Sequence, residues 1–367
     1  MKRPGLTALL LTIVVVVVGL VAGCGGTTTT TAATTTTAGG ADTTATSAAT
    51  TTTVAPEKIV LKYAHFTSGK DFPGRQLDFW VDEIQKQTNG QVEVQKFLGG
   101  TLLTAKNMFD GVMEGVADIG LSFVTYEPGR FPLLSLNDLP GLGYESSAQG
   151  SQAFFDVVWA NQDLAELKDF QIITAFCTEP CHIQSINKYE TLESLKGAEI
   201  RTPGGPKVLE ALGAVGVGMP QSEIAQALQT GVIKGVMTSR EVLFDFKYAE
   251  KCKYILNKPL GNVSAIVVMR KDKFEALPDN VKQIILDLAP QASKVAGTAL
   301  DTSVKESVEW AVSTQGVTEV ELSAEEAKKF DDALAPVVET WLSDVEAKGL
   351  PARDFYKELQ EAALKYK

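Results

Sequence analysis

Between Ile59 and Leu121 the spacing of apolar residues changes period four times, and each change dictates a different element. Ile59 to His65 reads as an apolar strand. Pro73 opens a helix whose Leu77, Trp80, Val81 and Ile84 fall at i, i+3, i+4 and i+7, and Asn89-Gly90 stops it. Val92 and Val94 alternate with polar neighbours as a second strand; a helix is expected from about Ala105 to Glu114, and a third strand from Ala117 to Leu121. Strand, helix and strand in this succession predict an α/β chain with a mostly parallel sheet.

The same grammar returns further along, around a more informative residue. Leu195-Lys-Gly-Ala-Glu-Ile-Arg201-Thr-Pro-Gly-Gly205 is a short strand ending on a guanidinium and a Pro/Gly turn, and Glu223 to Gly235 supplies a helix leading into another strand. A guanidinium is a planar fork of donors that matches a carboxylate. Open α/β sheets bind ligands in the crevice at their strand ends. Arg201 is therefore the first candidate ligand contact. Val112-Met-Glu-Gly115-Val116-Ala-Asp118-Ile-Gly120 and Leu228-Gln-Thr-Gly231-Val232-Ile-Lys234-Gly-Val236 also share a helix end, a glycine stop and a strand start. Either this is the ordinary repetition of an α/β chain, or two lobes are built on one plan with a cleft between them.

About 311 residues run from Glu57 to the end, more than one core usually serves, so two lobes are expected. Residues 57–180 with about 265–300 would form lobe I, and 181–264 with about 301–345 lobe II, with 346–367 a closing helix. The apolar strand Val263 to Met269 would return the chain to lobe I. Pro278-Asp279 opens one helix, and Pro290 to about Ser313 a long one able to run beneath both lobes. Ser323 with Glu326 reads as a capping box, and Asp354 to Tyr366 as the last helix.

The N-terminus carries a compartment signal. Lys2 and Arg3 precede an apolar run from Leu6 to Ala22 that closes on Val21-Ala22-Gly23-Cys24, the form of a secretion signal over residues 1–23. It resembles a bacterial lipobox, which makes Cys24 the expected lipidated residue. Residues 24–56 are almost entirely Thr, Ala and Gly, too poor in large apolar side chains to offset ordering entropy, and read as a disordered tether with a span of roughly 30 Å. Removing residues 1–23 takes away Lys2 and Arg3 and no acid, so the net charge of −11 becomes −13, which argues against nucleic acid as a partner. No later apolar run is long enough to cross a bilayer.

With these residues in hand, the chain resembles the extracytoplasmic solute receptors of TRAP transporters, the DctP family. The resemblance covers residues 57–345 and rests on the order and spacing of Thr88-Asn-Gly90, Gly99-Gly-Thr101-Leu102, Gly115-Val-Ala-Asp118-Ile-Gly120, Pro128-Gly-Arg-Phe-Pro132 through Asp138-Leu-Pro140, Leu195-Lys-Gly197 to Arg201, Leu212-Gly213-Ala214, Glu223 to Gly235, and Met269. It implies a two-lobed periplasmic-binding-protein-like fold with crossover strands and a long helix bracing both lobes. It also implies an organic acid held between the lobes and delivered to the membrane subunits of an ion-gradient-driven permease, from the outer face of the cytoplasmic membrane. Arg201 falls where the family's arginine grips the ligand carboxylate. No cofactor or metal is implied.

Departures from the family pattern leave the other end of the ligand open. Arg270 stands where Asn often follows Met; facing the cleft, it would favour a dicarboxylate, and facing solvent it would mean little. Phe176-Cys177-Thr-Glu179-Pro-Cys181-His182 replaces a segment in which many relatives carry another arginine. Cys177, Cys181 and His182 lack the fourth ligand a metal site wants, His65 being the only other histidine. Cys177 and Cys181 would pair, given a turn at Glu179-Pro180, or simply pack, while His182 would donate a hydrogen bond to the ligand. Further pocket candidates follow strand ends: His65, Thr67 and Phe72; Phe123, Thr125 and Tyr126; Thr238, Ser239 and Phe244. An enzyme is not expected, because Gly-x-Ser-x-Gly and His-Glu-x-x-His are missing and two histidines leave little acid-base machinery. A sensor lipoprotein using the same binding fold without a permease is the competing reading.

Overall fold

The computed structural model describes residues 57–367; the signal sequence, Cys24 and the Thr/Ala tether lie outside the described residues. The strands are β1 (Ile59–His65), β2 (Val92–Phe97), β3 (Ile119–Phe123), β4 (Phe170–Cys177), β5 (His182–Ser185), β6 (Glu199–Thr202), β7 (Val215–Gly218), β8 (Gly235–Thr238), β9 (Tyr254–Leu256), β10 (Ser264–Arg270) and β11 (Thr318–Val320). They form two sheets, one ordered β2-β1-β3-β10-β4 and the other β11-β9-β5-β8-β6-β7.

Each sheet is built around a parallel triplet. In the first, β2 and β3 flank β1 in parallel, while β10 lies antiparallel to both β3 and β4. In the second, β7 and β8 flank β6 in parallel, and β5 lies antiparallel to β8 and β9. The two sheets thus repeat one plan. The glycine stops noticed in the sequence serve it in the same way: Gly115 (φ 76°) and Gly231 (φ 75°) take the left-handed conformation that turns a helix end into β3 and β8.

The chain passes between sheets at β4–β5 and back at β9–β10, and these two crossings are hydrogen-bonded to each other. The Thr178 amide donates to Val263 O (3.0 Å), the Val263 amide to Thr178 Oγ1 (3.0 Å), and the Leu260 amide to Cys181 O (3.0 Å). A long helix, Asp279–Gln315, makes the third connection. It packs on the helices Phe72–Gln87 and Ser147–Ala160 beside the first sheet and on Val242–Asp245 beside the second. Gly297 permits the close approach, since a Cβ there would stand 2.7 Å from Ala148 Cα. Asp301, one turn on, accepts from the Ser147 and Ala148 amides (2.7 and 2.9 Å) and so caps the facing helix.

Three local expectations are corrected. The helix expected from about Ala105 spans only Met108–Met113, because Asn107 Oδ1 closes a turn on the Thr104 amide (2.7 Å). Pro290 does not divide two helices; it sits inside one of 37 residues, whose flanking turns are tied down by Thr174 Oγ1 donating to Ala289 O (2.8 Å) and Ser293 Oγ to Ser151 O (3.1 Å). Ser323 caps the helix Ala324–Glu346, but Glu326 turns its carboxylate to the Leu192 amide (2.9 Å) and leaves the box half-made. The last helix, Ala352–Lys365, buries Phe355, Tyr356 and Leu359. Among the described residues no helix is long and apolar enough to cross a membrane.

Candidate functional site

Because the sheets share a plan, the loops after β1 and β3 face those after β6 and β8 across one cleft. Its walls include Thr67, Asp71 and Phe72 from the first region after β1, Phe123 and Tyr126 from the end of β3, Arg201 from β6, and Thr238, Ser239 and Glu241 from the end of β8. Thr178 and Val263, on the two crossings, close the back. The space between these walls, counting open solvent at its mouth, is about 430 Å³.

Arg201 is 1% exposed, among the largest fully buried side chains of the molecule. Its Nε donates to Met219 O (2.9 Å), in the loop after β7, which fixes the plane of the guanidinium. Its Nη2 reaches the Tyr126 hydroxyl at 3.4 Å, and the same hydroxyl receives the Gln221 amide at 3.4 Å. Both bonds are long, so they yield readily to a better acceptor. Its two side-chain hydrogen bonds among the described residues thus go to neutral oxygens. A buried cation without a countercharge is costly unless an anion joins it.

Aromatic rings wall this cation. Phe66, Phe123 and Tyr126 meet edge to face with centroids 5.5 to 5.6 Å apart, and Phe72 packs on Phe176 at 5.8 Å. They strengthen any charge contact by excluding water.

Opposite charges are also present. Asp71 caps the helix Phe72–Gln87 by accepting from the Gly74 amide (3.2 Å). Gly74 has no room for a side chain: a Cβ would lie 2.0 Å from Gly69 O. Glu241 is buried, and burial pushes its carboxyl up to about 8, aided by the nearby Glu179 and Asp245 carboxylates. Arg240, next to it, is committed elsewhere. Its Nε and Nη2 hold the two oxygens of Glu179 (3.0 and 2.7 Å), on the first crossing, and its amide holds Glu179 Oε1 as well (2.7 Å).

The cleft gathers Arg201, Thr67, Phe72, Phe123, Tyr126, Thr238 and Ser239 from the residues expected in it. Six expected residues stand outside its lining, and one of them, Thr125, sits against Gly204. His65 is buried behind it, with Nδ1 receiving the Thr67 amide (3.2 Å), so it positions Thr67; burial lowers its pKa. His182 pairs with Thr238 in the second sheet and is pushed down to about 3 by burial and by Arg240. Cys177 lies under the helix Ser147–Ala160, where Ser147 and Ser151 hydroxyls donate to its carbonyl. Cys177, Cys181 and Cys252 are all free and buried, so the pairing alternative is replaced by packing in an apolar surround. Phe244 is on the outer face, edge-on to Trp310. Arg270 is also at the surface: it pairs with Asp272 (2.6 Å) and donates to Met113 O (3.1 Å), at the far end of β10 from the cleft. The dicarboxylate argument tied to Arg270 falls with that placement.

Sequence reasoning missed Phe66, Asp71, Thr178, Gln221, Glu241 and Phe246. Asp71 carried a signal, an Asp immediately before Phe-Pro at a helix start. Gln221 opens a short 3-10 turn, Gln221–Glu223, and the others sit in loops whose direction only the fold decides.

Two similar sheets, a double crossing and one buried cation in the cleft between them define a two-lobed solute-binding protein. Residues 63–344 match the family model DctP, described as bacterial extracellular solute-binding protein, family 7, and the chain belongs to that family, the receptors of TRAP transporters. It is 27% identical over 307 residues to the C4-dicarboxylate-binding periplasmic protein DctP of Rhodobacter capsulatus, covering 81% of this chain and 90% of that one. Among solved structures it is 36% identical to a TRAP periplasmic solute binding protein from Desulfovibrio salexigens (TM-score 0.76, 84% of this chain and 97% of that one), whose ligand binding site holds the C-terminus of a symmetry mate. It is 28% identical to a marine metagenome TRAP solute binding protein specific for aromatic acid ligands, in complex with 3-hydroxybenzoate (TM-score 0.79, 85% and 99%). The protein is a binding receptor and not an enzyme.

Proposed function

We propose that this receptor captures a small organic acid in the cleft, with Arg201 gripping the carboxylate, and hands it to the membrane subunits of a TRAP permease. The observation that carries the reading is the fully buried Arg201 guanidinium, whose hydrogen bonds go to neutral oxygens inside an aromatic-walled cleft. The ligands named for the relatives agree in kind, a benzene-ring acid in one and a peptide C-terminus in another. Each hydrogen bond between Arg201 and a carboxylate contributes about 1.5–3 kcal/mol, so a two-pronged contact sets much of the affinity. Thr67, Tyr126, Thr238 and Ser239 supply the polar contacts around it, and Phe66, Phe72 and Phe123 the walls.

Arg201→Ala is expected to weaken acid binding at least tenfold in calorimetry, because the ligand carboxylate would be desolvated without a partner. Arg201→Lys keeps the charge and loses the fork, so its affinity should fall between the two. Unchanged affinity in Arg201→Ala sinks the assignment.

Residues 57–180 with about 265–300 and residues 181–264 with about 301–345 act as the two closing lobes in this reading. The receptor is held at the outer face of the cytoplasmic membrane through lipidated Cys24, with residues 25–56 as the tether. Support for the anchor is the small-residue run before Cys24. Intact mass spectrometry of detergent-extracted protein checks it: the chain should begin at Cys24 and carry diacylglycerol.

A further inference from the structure

Glu241 is a buried carboxyl in the cleft wall for which neither the fold nor the grip on a carboxylate has a use. It is 5% exposed, and its Oε2 has no hydrogen-bond partner among the described residues. The Ser239 hydroxyl is near the same carboxyl. Of the two arginines nearby, Arg240 is held by Glu179, and Arg201 gives its bonds to Met219 and Tyr126. A carboxyl kept for folding would be paired, since an unsatisfied buried acceptor lowers stability. A glutamine or leucine would fill the same volume at lower cost.

The charges of the cleft narrow what could satisfy it. Its lining holds one guanidinium, Arg201, and two carboxyls, Asp71 and Glu241. A second ligand carboxylate would meet Asp71 and Glu241 with no second cation in the lining, whereas an ammonium there would draw Glu241 into its charged, accepting form. A ligand with one carboxylate and one hydrogen-bond donor satisfies Arg201 and Glu241 together. Phe72 and Phe246 line the cleft with the acids, a surround that favours a weakly hydrated donor over water.

We propose that Glu241 is a second ligand contact, accepting a hydrogen bond from an ammonium or hydroxyl group of the monocarboxylate that Arg201 holds, so that the cleft selects donor-bearing monocarboxylates and rejects dicarboxylates. This specificity rests on the carboxylate-receptor reading above and deepens it.

Calorimetry of the purified protein with two matched probe sets tests it. One set is butanoate, 4-aminobutanoate, 4-hydroxybutanoate and succinate; the other is 3-phenylpropanoate, phenylalanine, 3-phenyllactate and phenylsuccinate. In at least one set a donor-bearing acid should bind at least tenfold tighter than its unsubstituted parent, with the dicarboxylate weakest. Glu241→Leu should abolish that preference, so that the donor-bearing acid binds no tighter than its unsubstituted parent. Glu241→Gln separates the donors: it removes the preference for an ammonium, which needs the charge, and keeps most of the preference for a hydroxyl, which needs only an acceptor. Circular dichroism of both variants controls for folding, and the glutamine variant, nearly isosteric, keeps the test intact if leucine disturbs the loop. Equal binding of dicarboxylate and donor-bearing acid, or a preference that survives in Glu241→Leu, overturns the inference. If parent acids bind and depend on Arg201 while no donor preference exists, the receptor reading stands and this one alone falls. If none of the acids binds the wild type, both fall.

Discussion

At the scale of single residues, the cleft is defined by which charges the fold leaves uncompensated. Arg240 and Glu179 neutralise each other across the first crossing, and Arg270 spends its charge on Asp272 at the surface, whereas Arg201 has no acid on its fork among the described residues. Asp138 shows the same logic in a structural role. Its Oδ1 receives the Ser264 amide and hydroxyl (2.7 and 2.6 Å) at the start of β10, yet burial raises its pKa to about 7. A carboxyl whose folded pKa exceeds its unfolded value near 3.8 adds stability below that value and loses it as pH rises toward 7. His182, lowered to about 3, works with the opposite sign: its contribution is full above its unfolded value of 6.5 and is lost as pH falls toward 3. Asp138→Asn keeps the acceptor and cannot ionise. Denaturant titrations at pH 4 and pH 8 should show its stability relative to wild type improving by on the order of a few kcal/mol at the higher pH. A difference that does not change with pH would show that Asp138 titrates normally.

At the scale of elements, legibility followed periodicity. The strand Ile59–His65 and the helix opened by Pro73 were readable because a 3.6-residue or two-residue repeat reports one buried face directly. The doubled Gly-stop motif was readable as a local phrase, but that it marks equivalent positions in two sheets needed the strand order. Pro290 misled because its local penalty is a property of an isolated helix, while here both flanking turns are anchored by Thr174 and Ser151. Gly297 carries a similar lesson in reverse. Alanine favours a helix over glycine by about 1 kcal/mol, yet a Cβ at 297 would press on the backbone of Ala148 and Ser147 at 2.7 and 2.8 Å. Overpacking of this kind costs about 1–3 kcal/mol and here also strains the Asp301 cap. Gly297→Ala should therefore lower the denaturant midpoint, and a raised midpoint would show that the two helices can move apart freely.

At the scale of the whole molecule, two lobes on one plan, hinged by a hydrogen-bonded pair of crossings and braced by one helix, are suited to closing on a ligand. The long Tyr126 contacts to Arg201 and Gln221 already span the cleft, and a carboxylate seated on Arg201 would replace them with shorter charged bonds. Saturating ligand should reduce the radius of gyration in small-angle scattering, and an unchanged profile would count against closure. Much of this was determined by sequence alone: the α/β class, the family, the strand-end position of Arg201 and several of its aromatic neighbours, all of which depend on local periods and short motifs. Only the tertiary structure decided which way the loops face. It put Phe244 and Arg270 outside, buried His65, Cys177 and His182 behind the lining, and brought Asp71 and Glu241 into the cleft. The reason is physical: periodicity fixes a side chain's direction relative to its own element, but a loop residue's direction is set by what packs against it from distant parts of the chain.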